Sequence, residues 1–216
     1  MKRAFALLLM LACALPLRAT AQRPDEIRIA GTAYELVSPP DIPMLRDHPE
    51  RMPKAMTMMT SLWRGYVATW AIRDNRLFLD NVRIPTDKNF EYKAPESKRW
   101  QPVMEDLFGN AAPRVADWYT GNLVIPTGEM VKYVHMGFAS TYSSYVVATV
   151  VKGEVRQQRD MNAKEFDAFR RTQFAAWKKT PEYAKALEEL NEPDVAKAEE
   201  FLFLYASGQY VARVTP

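Results

Sequence analysis

Cysteine is almost absent from this chain: of 216 residues only Cys13 carries a thiol. It falls inside an N-terminal stretch with the three parts of an export leader. Lys2 and Arg3 form a positive start, Ala4 to Leu17 an apolar run, and Ala19-Thr20-Ala21 the small residues that a signal peptidase requires. Cleavage after Ala21 leaves a mature chain without a thiol. Thiol nucleophiles, thiolate metal centres and disulfide exchange are then excluded. An exported domain of roughly 195 residues without disulfides must be held by its core alone, which that length permits. The alternative processing treats Leu11-Ala12-Cys13 as a loose lipobox and keeps Cys13 as a lipidated terminus.

Histidine is nearly as scarce, with His48 and His135 the two in the chain. A His-rich metal centre is therefore not expected. No segment after the leader reaches the roughly 20 apolar residues that a membrane-spanning helix needs. Net charge is also missing. Removing Lys2, Arg3 and Arg18 takes 29 basic residues to 26, against 26 acidic ones. A formally neutral mature chain lacks the basic face that nucleic-acid binding uses.

What the chain does have is alternation. Tyr66, Ala68, Trp70 and Ile72 alternate with Val67, Thr69, Ala71 and Arg73, the period of a strand with one buried face. Asp74-Asn75 is a tight-turn pair, and the segment after Arg76 returns with Leu77 and Leu79 on one side. Glu26 to Ile29 and Ala33 to Val37, around Gly31-Thr32, read as a hairpin or one bent strand. Further on, Tyr119, Gly121, Leu123 and Ile125 share a face. Met130, Val134, Met136 and Phe138 share the next, and Val146 to Val151 is apolar on both faces, as in an interior strand. Short connections between these runs predict antiparallel neighbours, a meander.

Between the first strands lies a proline- and methionine-rich loop, residues 38–62, with Pro39, Pro40, Pro43, Pro49 and Pro53. Its Met52 and Met56, with His48, are the residues a soft-metal site would use. The bland reading, methionine filling gaps where a loop enters the core, is preferred. After Asn162 the period changes to helical. Asn162 with Glu165 makes a capping box, Phe166, Phe169, Phe174 and Trp177 form one stripe, and Pro181 and Pro193 restart helices. Gln209 to Val214 would add an edge strand. The expected fold is α+β: an antiparallel sheet of about six strands over residues 22–160, with a helical segment, 161–216, packed on one face.

Two motifs stand out. Trp63-Arg64-Gly65-Tyr66-Val67-Ala68-Thr69-Trp70 is followed by Leu77-Phe78-Leu79. Trp118-x-Thr120-Gly121-x-Leu123-x-Ile125-Pro126-x-Gly128 is followed by Tyr133-x-His135-Met136-Gly137-Phe138. In this order they resemble an uncharacterised family of small bacterial proteins over roughly residues 60–160. The resemblance brings no activity, cofactor or catalytic residue, and the leader and helical tail depart from it.

His135 is the residue a catalytic reading would have to use, paired with a carboxylate such as Asp117 or Glu129 as acid and base. Neither a nucleophile elbow nor a phosphate loop accompanies it, so packing or binding is the preferred role and no cofactor is expected. Arg64, at the start of a strand before Gly65, would either read a ligand carboxylate or, the favoured role, pair with a neighbouring acid. Tyr119, Tyr133 and Tyr142, with His135, are the candidates for a partner-binding face. The expected function is an exported, non-catalytic protein of the periplasm or outside the cell. It would bind another envelope or secreted protein in the manner of an immunity factor. An envelope hydrolase centred on His135 and a structural envelope component are the alternatives. Expression in an exporting host is expected to yield a protein beginning at Gln22 by intact mass. A mass retaining residues 1–21, or a lipid on Cys13, would rule that processing out.

Overall fold

The computed structural model describes residues 21–53, 59–86, 99–134 and 138–214. The chain is α+β, but its sheet is mixed and larger than the alternation pattern implies. β1 (Asp25–Ile29) and β2 (Thr32–Leu36) form a hairpin, β3 (Val67–Arg73) and β4 (Arg76–Pro85) a second, and β10 (Ser144–Val151) and β11 (Glu154–Asn162) a third. Each turns on a residue pair with positive φ: Ala30-Gly31, Asp74-Asn75 and Lys152-Gly153. Two consecutive left-handed residues match the right-handed twist of the strands they join.

The main sheet has nine strands. Its order is β2-β1-β3-β4-β11-β10-β7, where β7 is Gly121–Pro126, and β5 (Trp100–Pro102) and β6 (Arg114–Val115) pair with β4. The expectation of a purely antiparallel sheet of about six strands is corrected at β1 and β3, which run parallel. The proline-rich passage after β2 carries the chain past β1 to its far side, where β3 runs opposite to β2 and therefore parallel to β1. Part of that passage folds: α1 (Pro43–Asp47) and a 3₁₀ turn at Pro49–Arg51.

The meander is corrected too. β7 pairs directly with β10, with Leu123 opposite Ala148. The chain between them leaves the sheet as a separate ribbon of β8 (Met130–Lys132) and β9 (Thr141–Tyr142). β10, apolar on both faces, does lie inside the sheet between β7 and β11.

The sheet curls until its ends meet. Val37, just past β2, donates its N–H to the Val124 carbonyl of β7 at 3.1 Å, and the Ser38 hydroxyl bridges the Asn122 carbonyl and the Val124 N–H. The enclosed core takes Ile27, Leu36, Trp70, Leu77, Leu79, Leu123, Ile125, Val146 and Val150 from strands all around the wall. One end is stopped by α2 (Met104–Phe108), which buries Met104 and Leu107 and ends at Gly109.

The outer face of β7 and β10 is covered by α3 (Ala163–Trp177), α4 (Pro181–Leu190) and α5 (Val195–Tyr205). α3 begins with the Asn162–Glu165 capping box, and Phe166 stacks on Tyr145 with centroids 3.8 Å apart. Pro181 occupies the first turn of α4, capped by Thr180, whereas α5 is capped by Asp194 and starts after Pro193 rather than at it. Arg170 lies off the aromatic stripe by spacing yet is buried. It donates to the Phe203 carbonyl and the Tyr210 hydroxyl, near the electronegative C-terminal end of α5, which is where a buried cation is tolerated. The edge strand expected at Gln209–Val214 is instead a helical turn, α6 (Ser207–Tyr210), then a tail whose Ala212 carbonyl accepts the Asn122 N–H at 2.7 Å. The buried Tyr210 ring stacks against Trp177 and Phe203 there, so burial of that aromatic sets the local conformation rather than strand propensity.

The first motif has a structural cause. Asp25 is buried at the start of β1, and four donors converge on it: Arg64 at 2.6 and 3.3 Å, the Ala68 N–H at 3.0 Å and the Trp70 indole at 2.9 Å. Gly65 takes φ +74°, a conformation side chains rarely adopt, in the turn that aims Arg64. Tyr66 lies under the guanidinium, 4.9 Å from ring centroid to cation. The start of the second motif, Trp118 to Gly121, is also explained by packing. Trp118 donates to the Asp41 carbonyl, Thr120 accepts the Lys152 N–H, and a Cβ on Gly121 would sit 2.5 Å from the Tyr119 hydroxyl oxygen and 2.8 Å from the Ala212 carbonyl oxygen.

Replacing Asp25 with Ala removes the acceptor for all four donors and leaves Arg64 partly buried and unpaired. A loss of about 3 kcal/mol is expected in denaturant unfolding. A loss below about 1 kcal/mol, the size of one ordinary hydrogen bond, would refute the role given to this carboxylate.

Candidate functional site

The barrel interior is filled by side chains, so concave surface lies on its outside. A cleft of about 600 Å³ runs along β1 and β2 and includes Glu26, Tyr34, Glu35, Val67, Arg83 and Trp100 in its lining. Strand register places Glu26 directly opposite Glu35, and like charges facing across a ladder repel. Each has relief. Arg28 pairs with Glu26 at 3.1 Å, and the Tyr142 hydroxyl donates to Glu35 at 3.2 Å. A cation holds one carboxylate and a neutral donor the other.

Glu35 also lines a second cleft, of about 150 Å³, between β2 and the β8–β9 ribbon. Glu35, Val37, Met130, Tyr133, Phe138 and Tyr142 are among its lining. Among the described residues no strand pairs with the outer edge of β2 before its end reaches β7. Its backbone donors and acceptors therefore lie beside the ribbon. Met130, Val131 and Tyr133 on the ribbon are 49, 67 and 58% exposed, an apolar run on the surface.

The residues singled out from sequence separate in space. Arg64 is committed to Asp25; burial disfavours its charge, but the Asp25 carboxylate and the Tyr66 phenol outweigh that and leave its pKa raised. Tyr119 packs against the barrel core and donates to the Asn122 carbonyl, and burial pushes its phenol pKa upward. It lies beyond the Gly121 end of β7, whereas Tyr142 precedes the end of β10 that pairs with Pro126. The length of the strand therefore separates them, and only Tyr133 and Tyr142 line one cleft. His135 and Met56 lie outside the described residues, as do Met136 and Cys13. His48 is exposed, with Nδ1 3.2 Å from Glu50. Met52 packs against the barrel core with Met44. Among the described residues no three His, Cys, Asp or Glu side chains gather as a metal site would need, and no helix is long and apolar enough to cross a membrane. His48 does border a 300 Å³ cleft with Met44, Phe108 and Trp118.

Glu26, Glu35 and Asp25 carry no motif, and nothing in their spacing marks them. The register that brings the two glutamates together, and the crossover that lays Asp25 beside Trp70, are both long-range. No protein-family model, curated protein or solved structure matches the chain.

Burial raises the Tyr142 phenol pKa to about 12, and the Glu35 charge adds to the rise. The ordinary tyrosine value is about 10, so between these values the folded state holds a proton that the unfolded state has lost. Stability is complete below pH 10 and falls as pH rises toward 12. Tyr142→Phe is expected to remove this part of the alkaline loss and one late-titrating phenol from the absorbance titration at high pH. An unchanged difference between the two proteins from pH 9 to 11.5 would contradict it.

Proposed function

We propose that this is an exported, non-catalytic binding protein that recognises another envelope or secreted protein, in the manner of an immunity factor. The contact surface is the β8–β9 ribbon with the neighbouring edge of β2. One observation carries the reading: Met130, Val131 and Tyr133 are all about half exposed or more on a ribbon set beside an unpaired strand edge. Exposed apolar side chains grouped at an edge mark partner-binding surfaces, and an open edge accepts an extended segment through backbone hydrogen bonds. The occupant is a partner's extended segment laid along β2. Its basic side chains meet the acidic margin of Glu26 and Glu35, a pairing that adds specificity. The first motif serves the scaffold, whereas Tyr133 of the second lies on the ribbon itself.

A photocrosslinking residue at Val131 of the exported protein tests the reading, with the same residue at the exposed Lys185 as control. One discrete envelope or secreted partner is expected from position 131 and none from position 185. Val131→Glu should then weaken the isolated complex by about tenfold or more, a hot-spot loss. Equal capture at both positions, no capture at 131, or an unchanged affinity in the folded variant would overturn it.

A further inference from the structure

The outer face of β7, β10 and β11 reads as three cross-strand rows. Pro126, Tyr145 and Met161 stand opposite one another, then Val124, Val147 and Arg159, then Asn122, Thr149 and Gln157. Phe166 and Phe174 of α3 belong to one apolar cluster with Tyr145, Met161, Val124 and Val147. The third row is wholly polar. It floors a cleft of about 470 Å³, with Arg159, Glu165, Phe169 and Gln173 among its walls. None of these residues lines the clefts at β2.

Arg159 is the feature here that the scaffold does not use. Its guanidinium lies 5.3 Å from the Phe169 ring centroid. Its Nε is buried without a hydrogen-bond partner, and no carboxylate of the described residues pairs with it. Elsewhere Arg64 pairs with Asp25, Arg170 donates to the Phe203 carbonyl and the Tyr210 hydroxyl, and Arg114 donates to the Phe108 carbonyl, although the Nε atoms of Arg114 and Arg170 are likewise without a partner. Glu165, on the cleft wall, already accepts the Asn162 N–H at 2.8 Å. Asn122 is spent on the tail, donating to the Val211 and Arg213 carbonyls, and Thr149 donates to Asn122. A guanidinium held over an aromatic ring loses less freedom when it binds a planar anion. Burying its donors without an acceptor is costly.

We infer that this cleft binds a small polar molecule through its carboxylate. Arg159 donates to the carboxylate, and Gln157 and the Thr149 lone pair meet hydroxyl or amide groups on the rest of the molecule. An acidic sugar and the free carboxylate of an amino acid or peptide share that chemistry. This site is separate from the β2 surface, so either can fail without the other.

Amide NMR of the mature protein, titrated with sodium glucuronate, N-acetylalanine and uncharged glucose, tests the inference and distinguishes the two sources. At least one carboxylate is expected to shift the Gln157 and Gln173 side-chain signals saturably, while glucose does not. Arg159→Gln should weaken that binding about tenfold or more, as loss of a charge-assisted hydrogen bond does. Gln157→Ala, at the exposed floor, should weaken it by about threefold and gives a second reading if the arginine variant does not fold. The inference is overturned if neither carboxylate shifts those signals, or if glucose binds equally well. It is also overturned if a folded variant of either residue binds as the native protein does.

Discussion

A carboxylate taken out of water is costly unless its lone pairs are filled, and the Asp25 carboxylate has four donors to fill them. All four of those donors come from side chains or backbone of a single segment, residues 64–70, with Arg64 supplying two contacts, the Ala68 N–H one and Trp70 one. The segment must therefore present both its main chain and two long side chains to the start of β1. That requirement fixes the parallel pairing of β1 and β3, which backbone hydrogen bonding by itself would not select over an antiparallel partner. It also places Trp70 at the centre of the barrel, its indole nitrogen satisfied and its ring wholly buried. Rearranging that pairing would strand a buried charge.

A second polar centre closes the other side of the barrel. Asn122 gathers the tail and β10 through its side chain, while its carbonyl accepts from Ser38 and Tyr119. The bonds to Ser38, Val211 and Arg213 join parts of the chain separated by more than eighty residues. Between the two centres the wall is held by apolar contact inside and by the aromatic helices outside. Tyr145 and Val147 face the helices while Val146 and Ala148 face the core. β10 is thus sandwiched, and this explains why its sequence shows no alternation.

Two surfaces remain beside these centres. The ribbon leaves the sheet because β10 already fills the place beside β7, so the residues between them have no ladder to join. Its apolar side chains stay outside for that reason. The polar row of Asn122, Thr149 and Gln157 lies on the helix-bearing face, at the end away from Tyr145 and Phe166.

Local features were legible in the residues: the strands around Trp70 and Leu123, though both faces of each are buried rather than one, the turn at Asp74-Asn75, the Asn162 cap and the aromatic stripe of α3. Each depends on interactions within a few positions, where spacing and side-chain chemistry decide the conformation. Of the candidate site residues, Tyr133 and Tyr142 were named from sequence and do line one cleft, while Glu35 beside them and Glu26 in the adjoining cleft gave no local sign. The chain order says nothing of which strands become neighbours. The parallel crossover, the ribbon, the burial of Arg170, the docking of Tyr210 and the commitment of Arg64 to Asp25 all arise from contacts between distant segments. Their free energy depends on what is excluded from water when the whole barrel closes, and a linear pattern carries no record of that.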